Sequence, residues 1–153
     1  MTQQQRTMTK PVPIPTPDTD FYWEKCQQHE LWVRKCNHCT RAYFYPRNIC
    51  PNCFSRNTDW VQCSGRATLH AFGIVVRPPH RGWVEDVPFV VAIVDLEEGC
   101  RMPTNLVQIA INLDNPGERI KVGMPVEVAW EDRTEKISLP MFKPAQGRLF
   151  RSA

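Results

Sequence analysis

Residues 31–53 read LWVRKCNHCTRAYFYPRNICPNC and hold two cysteine pairs, each with two residues between its members. The pairs are Cys36 with Cys39 and Cys50 with Cys53, and ten residues separate them. Two tight turns at this spacing can bring four thiolates to the corners of a tetrahedron, which is the geometry that Zn²⁺ prefers. The stretch therefore predicts one structural zinc site, with a pair of redox-active dithiols as the alternative.

The predicted site is closed, because cysteine fills all four coordination positions. A catalytic zinc keeps one position for water, so this metal would fold the ribbon and take no part in a reaction. Four thiolates around Zn²⁺ carry a formal charge of about −2, and we expect nearby cations and backbone N–H groups to hold them. The candidate cations are Arg34, Lys35, Arg41 and Arg47, whereas His38 is expected to be an exposed bystander.

Short strands and one helix are expected around the cysteines. Residues 31–35 and 42–45 flank the first pair and predict two strands of a small ribbon. Upstream, the capping residues 18–20 precede FYWEKCQQHELW, which predicts a short amphipathic helix with exposed aromatic side chains that dock on another protein. The residues at helical intervals are Phe21, Tyr22, Cys26 and His29.

The chain after Gly65 is rich in β-branched and aromatic runs. They read ATLHAFGIVV, PFVVAIVDL, RMPTNLVQI, MPVEVAW and KISLPMFKP, and Glu97-Glu98-Gly99 is typical of a hairpin connection between two of them. The fold class is therefore mainly β. The domain prediction is a flexible proline-rich arm at 1–17, a helix plus ribbon at 18–62, a β-barrel domain at 63–144 and a basic tail at 145–153.

Composition restricts the class of protein. The 153 residues carry 19 basic and 16 acidic side chains, and a net charge of +3 falls well short of the charge expected for a dedicated nucleic-acid binder. No run approaches the ~18 apolar residues of a membrane span, and the N-terminus lacks the apolar run of a secretory signal. We therefore expect a cytoplasmic protein without a membrane partner.

Three of the seven cysteines lie outside the two pairs, namely Cys26, Cys63 and Cys100. A catalytic thiol needs a base and a polarising environment, and the sequence shows no arrangement of histidine and asparagine that supplies them. These cysteines are expected to pack as small buried hydrophobic residues. Since paired carboxylates and glycine-rich phosphate loops are also lacking, the chain is not expected to be an enzyme on its own.

Several motifs together resemble one known family. FYWEKC, the cysteine stretch at 31–53, WVQCSGRA, VVAIVDLEEGCRMPTNL and VGMPVEV are similar to the zinc-ribbon plus OB-fold family called domain of unknown function thirty-five. The resemblance runs from Asp18 to Pro144. It departs from the family pattern where a glycine often follows each second cysteine, because Thr40 and Phe54 stand there.

The resemblance implies a helical arm, a rubredoxin-like zinc ribbon with a structural Zn²⁺, and an OB-fold barrel. It further implies a non-catalytic accessory subunit of an acyl-CoA-processing enzyme, foremost a thiolase-type acyltransferase, which would carry the catalysis in a hetero-oligomer. An acyl-CoA hydratase or aldolase is the alternative partner. The accessory chain would stabilise that partner and help to bind the CoA ester.

One loop offers residues suited to a CoA ester. In RPPHRGWVEDV, Arg77, His80 and Arg81 lie beside Trp83, and cations suit the phosphates of CoA while an indole can stack on adenine. The alternative is a solvated connector that binds nothing. A second functional hypothesis is single-stranded nucleic-acid binding, since OB-folds use aromatic platforms for it. Its candidate platforms are Trp60, Trp83, Phe72 and Phe89.

Overall fold

The computed structural model describes residues 9–145, which contain one α-helix, eight β-strands and two short 3₁₀ turns. The prediction of a mainly β fold with an N-terminal helix is confirmed. In chain order the elements are α1 (Asp20–Gln27), β1 (Trp32–Cys36), β2 (Ala42–Tyr43), β3 (Thr58–Gln62), β4 (Arg66–Val75), β5 (Phe89–Leu96), β6 (Arg101–Leu106), β7 (Pro125–Asp132) and β8 (Ser138–Pro144), with 3₁₀ turns at Arg81–Trp83 and Pro116–Glu118.

Strands β1, β2 and β3 form a three-stranded antiparallel sheet in the order β2-β1-β3. The first two lie close to the strands expected beside the first cysteine pair. Sequence patterning does not reveal β3, because its run TDWVQ has only two apolar residues and no fully buried position. The ribbon therefore has a third strand that returns the chain toward the barrel.

The remaining strands close into a barrel in the order β4-β5-β6-β8-β7. β4 pairs antiparallel with both β5 and β7, whereas β6 and β8 run parallel and share a single register pair, Leu106 with Phe142. A closed five-stranded barrel of this kind is the OB-fold architecture, as predicted. Alternation along β5 points Val90, Val94 and Leu96 into the barrel core.

Two glycines at barrel turns meet different local demands. Gly65 has a φ of +78°, and a Cβ there would lie 2.7 Å from Cγ1 of Val128 on the facing strand β7. Gly99 has a φ of +89° in the β5–β6 hairpin, and a Cβ there would meet nothing within 4 Å. The first glycine is needed for close packing as well as for its backbone conformation, and the second for its conformation alone.

Helix α1 packs its aromatic side chains inward. Tyr22, Trp23 and Cys26 are 1%, 7% and 0% exposed, so they belong to the core. The predicted face was wrong in two respects, because Trp23 lies on it and His29 lies beyond the end of the helix. The expectation that exposed aromatic residues of this helix dock on another protein is therefore wrong for Tyr22 and Trp23.

The helix and the ribbon share one core with the barrel. Side chains from α1 and β1 pack in the same buried cluster as the barrel residues Leu69 and Phe142. The turn after the helix is also clasped to the β7–β8 hairpin. There the His29 ring stacks on Trp130 with centroids 5.3 Å apart, and its Nε2 lies 2.8 Å from Oδ1 of Asp132.

No helix within residues 9–145 is long and apolar enough to cross a membrane. The α-helix that the described part contains spans eight residues and has polar and charged members. The expected cytoplasmic location itself stays a prediction.

Candidate functional site

Four cysteine sulfur atoms meet at the turns of the ribbon. The Sγ atoms of Cys36, Cys39, Cys50 and Cys53 all lie within 4.8 Å of one another. The Cys36–Cys53 and Cys39–Cys50 sulfur distances are both 3.6 Å. Tetrahedral Zn²⁺ with Zn–S bonds of about 2.3 Å requires sulfur atoms about 3.8 Å apart. The donor set and its spacing thus fit one Zn²⁺ ion.

Both cysteine pairs are held by turns of the same design. The backbone N–H of the first cysteine, Cys36 or Cys50, donates to the carbonyl five residues later at 3.0 Å. The residue after each second cysteine is Thr40 or Phe54, and these adopt left-handed φ values of 62° and 59°. The turn geometry is therefore kept without glycine, at a cost on the order of 1 kcal/mol per position.

Backbone donors lie close to two of the sulfur atoms. The N–H of Cys39 lies 3.5 Å from Sγ of Cys36, and the N–H of Asn52 lies 3.4 Å from Sγ of Cys50. Burial opposes ionisation of Cys50, but the backbone N–H groups of Asn52 and Cys53 outweigh it and lower the pKa to about 6. The Cys39 N–H likewise lowers the pKa of Cys36. At Cys36 and Cys50 the backbone therefore favours the thiolate, which is the form that binds metal. At Cys53 the backbone N–H of Ser55 lowers the pKa, but burial and the hydrogen bonds of the neighbouring thiols outweigh it and raise the pKa to about 12.

Two of the four cations predicted to hold the thiolates donate to asparagine side chains instead. Arg34 donates to Oδ1 of Asn48 at 3.1 Å, and Arg41 donates to Oδ1 of Asn52 at 3.5 Å. Within residues 9–145 none of the four donates a hydrogen bond to a cysteine sulfur. The described contacts to sulfur come from backbone groups and one asparagine side chain. The exposed residues of the original set are Lys35, His38, Arg41 and Arg47.

The predicted CoA-binding side chains lie in the loop between β4 and β5. Arg77 and Arg81 are exposed, and neither forms an ion pair within residues 9–145. His80 accepts a hydrogen bond from the Gly82 N–H on Nδ1 at 3.0 Å, and its ring meets Trp83 at 5.6 Å. The turn thus brings His80, Arg81 and Trp83 together and commits His80 to local structure.

The N-terminal arm packs against this loop. Nζ of Lys10 lies 2.6 Å from Oδ2 of Asp86, and a Cβ on Gly82 would lie 3.1 Å from Cα of Lys10. Arm prolines and the Trp83 indole line a groove of about 290 Å³ between the loop and the barrel. One side of the loop is therefore packed against protein, and its two arginines remain exposed.

The aromatic residues considered as nucleic-acid platforms are already engaged or half-buried. The Trp60 ring lies 4.7 Å from the Phe21 ring, and the Arg34 guanidinium lies over its face at 4.8 Å. Phe72, Phe89 and Trp83 are half-buried. These contacts leave no row of open rings on which successive bases could stack.

The outer face of the barrel carries a groove that the sequence analysis misses. It measures about 590 Å³ and follows strands β4, β5 and β6. Val91 and Ile93 are each 40% exposed at its floor. The available signal was the run PFVVAIVDL, because a strand that is apolar on both faces indicates that both faces become covered. The register aligns Ala71, Ile93 and Pro103 in one row, and Gly73, Val91 and Asn105 in the next.

The three remaining cysteines lie in or against the core. Burial raises the pKa of the Cys26 thiol to about 12, against the opposing hydrogen bond with Tyr22. Burial also raises the pKa of Cys100 to about 11, and that of Cys63 still higher. Such thiols stay protonated near neutral pH and are poor nucleophiles. Their environment agrees with the expectation of small buried side chains.

Together, the fold and the cysteine site define a zinc-ribbon protein with an OB-fold barrel. The family model for the rubredoxin-like zinc ribbon domain of ChsH2 matches residues 23–59, and the model for the C-terminal OB-fold domain of ChsH2 matches residues 60–131. A DUF35 domain-containing scaffold protein of Pyrococcus furiosus is 37% identical over 108 residues, which are 70% of this chain and 74% of that protein. The chain belongs to the DUF35 family.

Two further similarities involve an enzyme subunit and an enzyme complex. A probable enoyl-CoA hydratase alpha subunit of Thermomonospora curvata is 33% identical over 144 residues, which are 94% of this chain but 43% of that protein. The chain thus spans less than half the length of this relative. A solved structure titled "Ltp2-ChsH2(DUF35) aldolase" matches with a TM-score of 0.72 and 34% identity, covering 87% of this chain and 98% of that one.

The prediction of a structural zinc is confirmed, because the zinc-ribbon family match coincides with four cysteines close enough to share one ion. When bound, the metal supplies a cross-link between the two turns. Four thiolates leave no position for water, so the site has no catalytic coordination vacancy.

Proposed function

We propose that this chain is a non-catalytic, zinc-containing accessory subunit of an acyl-CoA-processing enzyme. In this role it stabilises the partner subunit and helps to bind the CoA ester. The observation that carries the proposal is the apolar outer face of the barrel, which is open to solvent in the single chain. The names of the relatives, a hydratase subunit and an aldolase, support the chemical class of the partner.

The outer barrel face has the properties of a protein contact. Its exposed aliphatic side chains, Val91 and Ile93, stand among small neighbours, so the surface is shallow and uncharged at its centre. At one end the charges are already paired, since Asp95 lies 2.9 Å from His70 and 2.8 Å from Arg101. The core of a protein interface is depleted in charge, whereas a nucleic-acid groove needs free cations. A protein partner is therefore favoured.

The polar clusters of the barrel support a role without catalysis. Ser138, Asp132 and His29 lie together, but the Ser138 hydroxyl donates to Asp132 at 2.6 Å and the histidine contacts the same carboxylate. A hydrolytic triad needs the serine bonded to the histidine, which in turn is oriented by the carboxylate. Here the carboxylate stands between the other two, so no base activates the serine.

The partner's reaction is the finer part of the proposal. The relatives' names favour an acyl-CoA hydratase or an aldolase. A thiolase-type partner, as the resemblance first implied, stays a prediction without further support. In each case the reactive groups lie on the partner.

For the CoA ester we propose the exposed side of the β4–β5 loop. Arg77 and Arg81 carry charges that no carboxylate neutralises within residues 9–145, which suits phosphate groups. The half-buried Trp83 indole lies at the same turn. His80 has a supporting role, because its Nδ1 holds the turn together.

Calorimetry on the assembled complex tests the loop. Replacing Arg77 and Arg81 with Gln and Trp83 with Ala should weaken CoA-ester affinity by about tenfold or more, since charge-assisted contacts to phosphate are lost. Replacing Arg119 and Lys121, which are exposed elsewhere on the barrel, with Gln is the matched control. Unchanged affinity in the triple variant removes the loop from the proposal and leaves the accessory role standing.

Affinity purification from the native host tests the accessory role. The wild-type chain should recover, in fixed stoichiometry, an enzyme that turns over a CoA ester. The isolated chain should show no such turnover. Changing Val91 and Ile93 to Arg should abolish recovery, because it places charges in the apolar face. Changing Leu113, an exposed apolar residue outside that face, to Arg is the control. Recovery of RNA or DNA that survives high-salt washing would contradict the proposal.

A further inference from the structure

The ribbon holds the whole positive excess of the chain. Residues 31–62, through the end of β3, contain five basic side chains and one carboxylate, that of Asp59, whereas the other 121 positions hold 14 basic and 15 acidic residues. Even after the two negative charges of a Zn²⁺–tetrathiolate centre are subtracted, about two positive charges remain on this short segment. The five cations are Arg34, Lys35, Arg41, Arg47 and Arg56.

These cations lack the carboxylate partners that several barrel cations have. None of the five forms an ion pair within residues 9–145, and all except Arg34 are exposed. On the barrel, by contrast, Arg66 pairs with Glu97 at 2.8 Å and Lys143 with Glu127 at 3.5 Å. The ribbon therefore presents a positive field that the rest of the described chain does not neutralise.

Phe54 belongs to the same segment and lies between Arg47 and Arg56 in the chain. It is 77% exposed and has a φ of 59°, so it combines backbone strain with an apolar ring in water. A bulky residue at positive φ is a genuine outlier, and such strain tends to persist where a contact requires the side chain. The Phe54 N–H donates to the carbonyl of Cys50 at 3.0 Å and closes the turn. Ile49, which is 37% exposed, directly precedes Cys50 and therefore adjoins this turn.

We propose that the basic tip, formed by Ile49 and Phe54 with Arg41, Arg47 and Arg56, docks on the partner enzyme. The partner surface it fits is acidic and has an apolar pocket that receives the Phe54 ring. This rests on the proposed function, in which the chain is a subunit of an acyl-CoA enzyme, and it adds a second contact on the ribbon to the one on the barrel.

A protein surface fits the basic tip better than a nucleic acid does. Binding of single strands relies on successive open rings, and Phe54 is the one aromatic residue of the tip as defined. The tryptophans of the ribbon sheet pack against the helix instead, since the Phe21 ring lies 5.5 Å from the Trp32 ring and 4.7 Å from the Trp60 ring. A single strained ring among cations is typical of an anchor residue surrounded by a charged rim.

The two turns of the ribbon supply a matched pair of variants. Phe54→Gly removes the ring and relieves the strain, so the ribbon should fold and keep zinc. Thr40→Gly relieves the same strain at the equivalent position, where no ring is present. The probe is the acyl-CoA enzyme that the wild-type chain recovers from its host, identified by mass spectrometry. Phe54→Gly should bind it about tenfold or more weakly, and Thr40→Gly like the wild type.

Charge reversal gives the second arm of the test. Arg56→Glu should slow association with the same enzyme and flatten its dependence on salt, whereas Arg119→Glu, with the same change in net charge, should do neither. Wild-type binding by both Phe54→Gly and Arg56→Glu overturns the inference and spares the accessory role. Failure of the wild-type chain to recover any acyl-CoA enzyme overturns both. Loss of binding to an oligo-dT strand by the same two variants would assign the tip to nucleic acid and overturn the inference.

Discussion

The ribbon and the barrel keep their folds by different means. The ribbon's own buried cluster consists of Cys36, Tyr43 and Cys50, with Cys39 and Cys53 packed against it. The cluster centred on the barrel has eighteen buried residues. A module that buries so little apolar surface needs a cross-link, whereas the barrel is held by side-chain burial. The comparison teaches that the metal stabilises the ribbon and the hydrophobic core stabilises the barrel. Each source of stability can be removed separately.

Zinc removal should have the largest effect, and it should act on the ribbon. Structural Zn²⁺ contributes on the order of 10 kcal/mol or more to the folding of such modules. Chelation, or Cys53→Ser, should therefore expose the amides of residues 31–58 to hydrogen exchange while those of β4 to β8 stay protected. Hydrogen exchange followed by mass spectrometry on both segments is the measurement.

Cys63→Ser is the control for zinc removal, since it removes a thiol outside the metal site. It should leave zinc content and ribbon protection unchanged. Equal exchange of the ribbon in the metal-loaded and metal-free chain would break the comparison, because the ribbon would then be stable without its cross-link.

The second effect should come from the barrel core. Phe142 is fully buried and lies at the β6–β8 register pair. Phe142→Ala should lower the free energy of unfolding of the barrel by about 3–5 kcal/mol, because a large cavity is left. Denaturant melts with metal content measured in parallel provide the check. Phe54→Ala removes an exposed ring and should change the free energy of unfolding little. An equal loss of stability in the two variants would contradict the view that side-chain burial holds the barrel.

A third and smaller effect is expected at the start of the barrel. Gly65→Ala should destabilise by about 1–3 kcal/mol, because its new Cβ meets Val128 and its φ is positive. Gly99→Ala has the same backbone penalty without the clash, so it should cost only about 1 kcal/mol. The difference between the two denaturation midpoints isolates the close approach of β4 and β7. Equal midpoints would mean that Val128 moves aside at no cost.

The sequence predicts the ribbon's site better than it predicts the barrel's surfaces. Cysteine spacing constrains four ligands locally, and the structure brings Cys36, Cys39, Cys50 and Cys53 together as expected. Thr40 and Phe54 looked like departures in the turns, yet both adopt the left-handed conformation of glycine. Local chemistry decides such turns, because the metal supplies more free energy than the strain costs.

Surfaces formed by distant strands are harder to predict. The groove over Val91 and Ile93 depends on the register of β4, β5 and β6, which no single segment encodes. The short strand β3 is likewise recruited by pairing with β1, because its own pattern is weak. The inward face of α1 depends on which side of the helix meets the barrel. Tertiary contacts decide the groove, the short strand and the buried helix face, and the periodicity of a single segment does not reveal those contacts.

The smallest effect should come from the clasp between the turn after α1 and the β7–β8 hairpin. Hydrogen bonds from the Ser138 hydroxyl and from His29 lower the pKa of Asp132 below its ordinary value of 3.8. A carboxyl whose pKa is depressed in the folded state stabilises the fold at pH values above its ordinary pKa. That contribution to the free energy of unfolding is lost as the pH falls through the folded pKa. The thermal midpoint of the wild type should therefore exceed that of Asp132→Asn at pH 6, and the gap should be smaller at pH 3, which lies below the ordinary value.

Asp114→Asn removes an exposed carboxyl that has no ion pair within residues 9–145, so its midpoint should follow the wild type at both pH values. Because both partners of the clasp are largely exposed, the gap should be the smallest of the four effects. A gap for Asp132→Asn that is as large at pH 3 as at pH 6 would mean that the clasp acts through packing of His29 on Trp130 rather than through charge. The turn after α1 would then be joined to the β7–β8 hairpin by apolar contact, as α1 and β1 are joined to the barrel in the shared core.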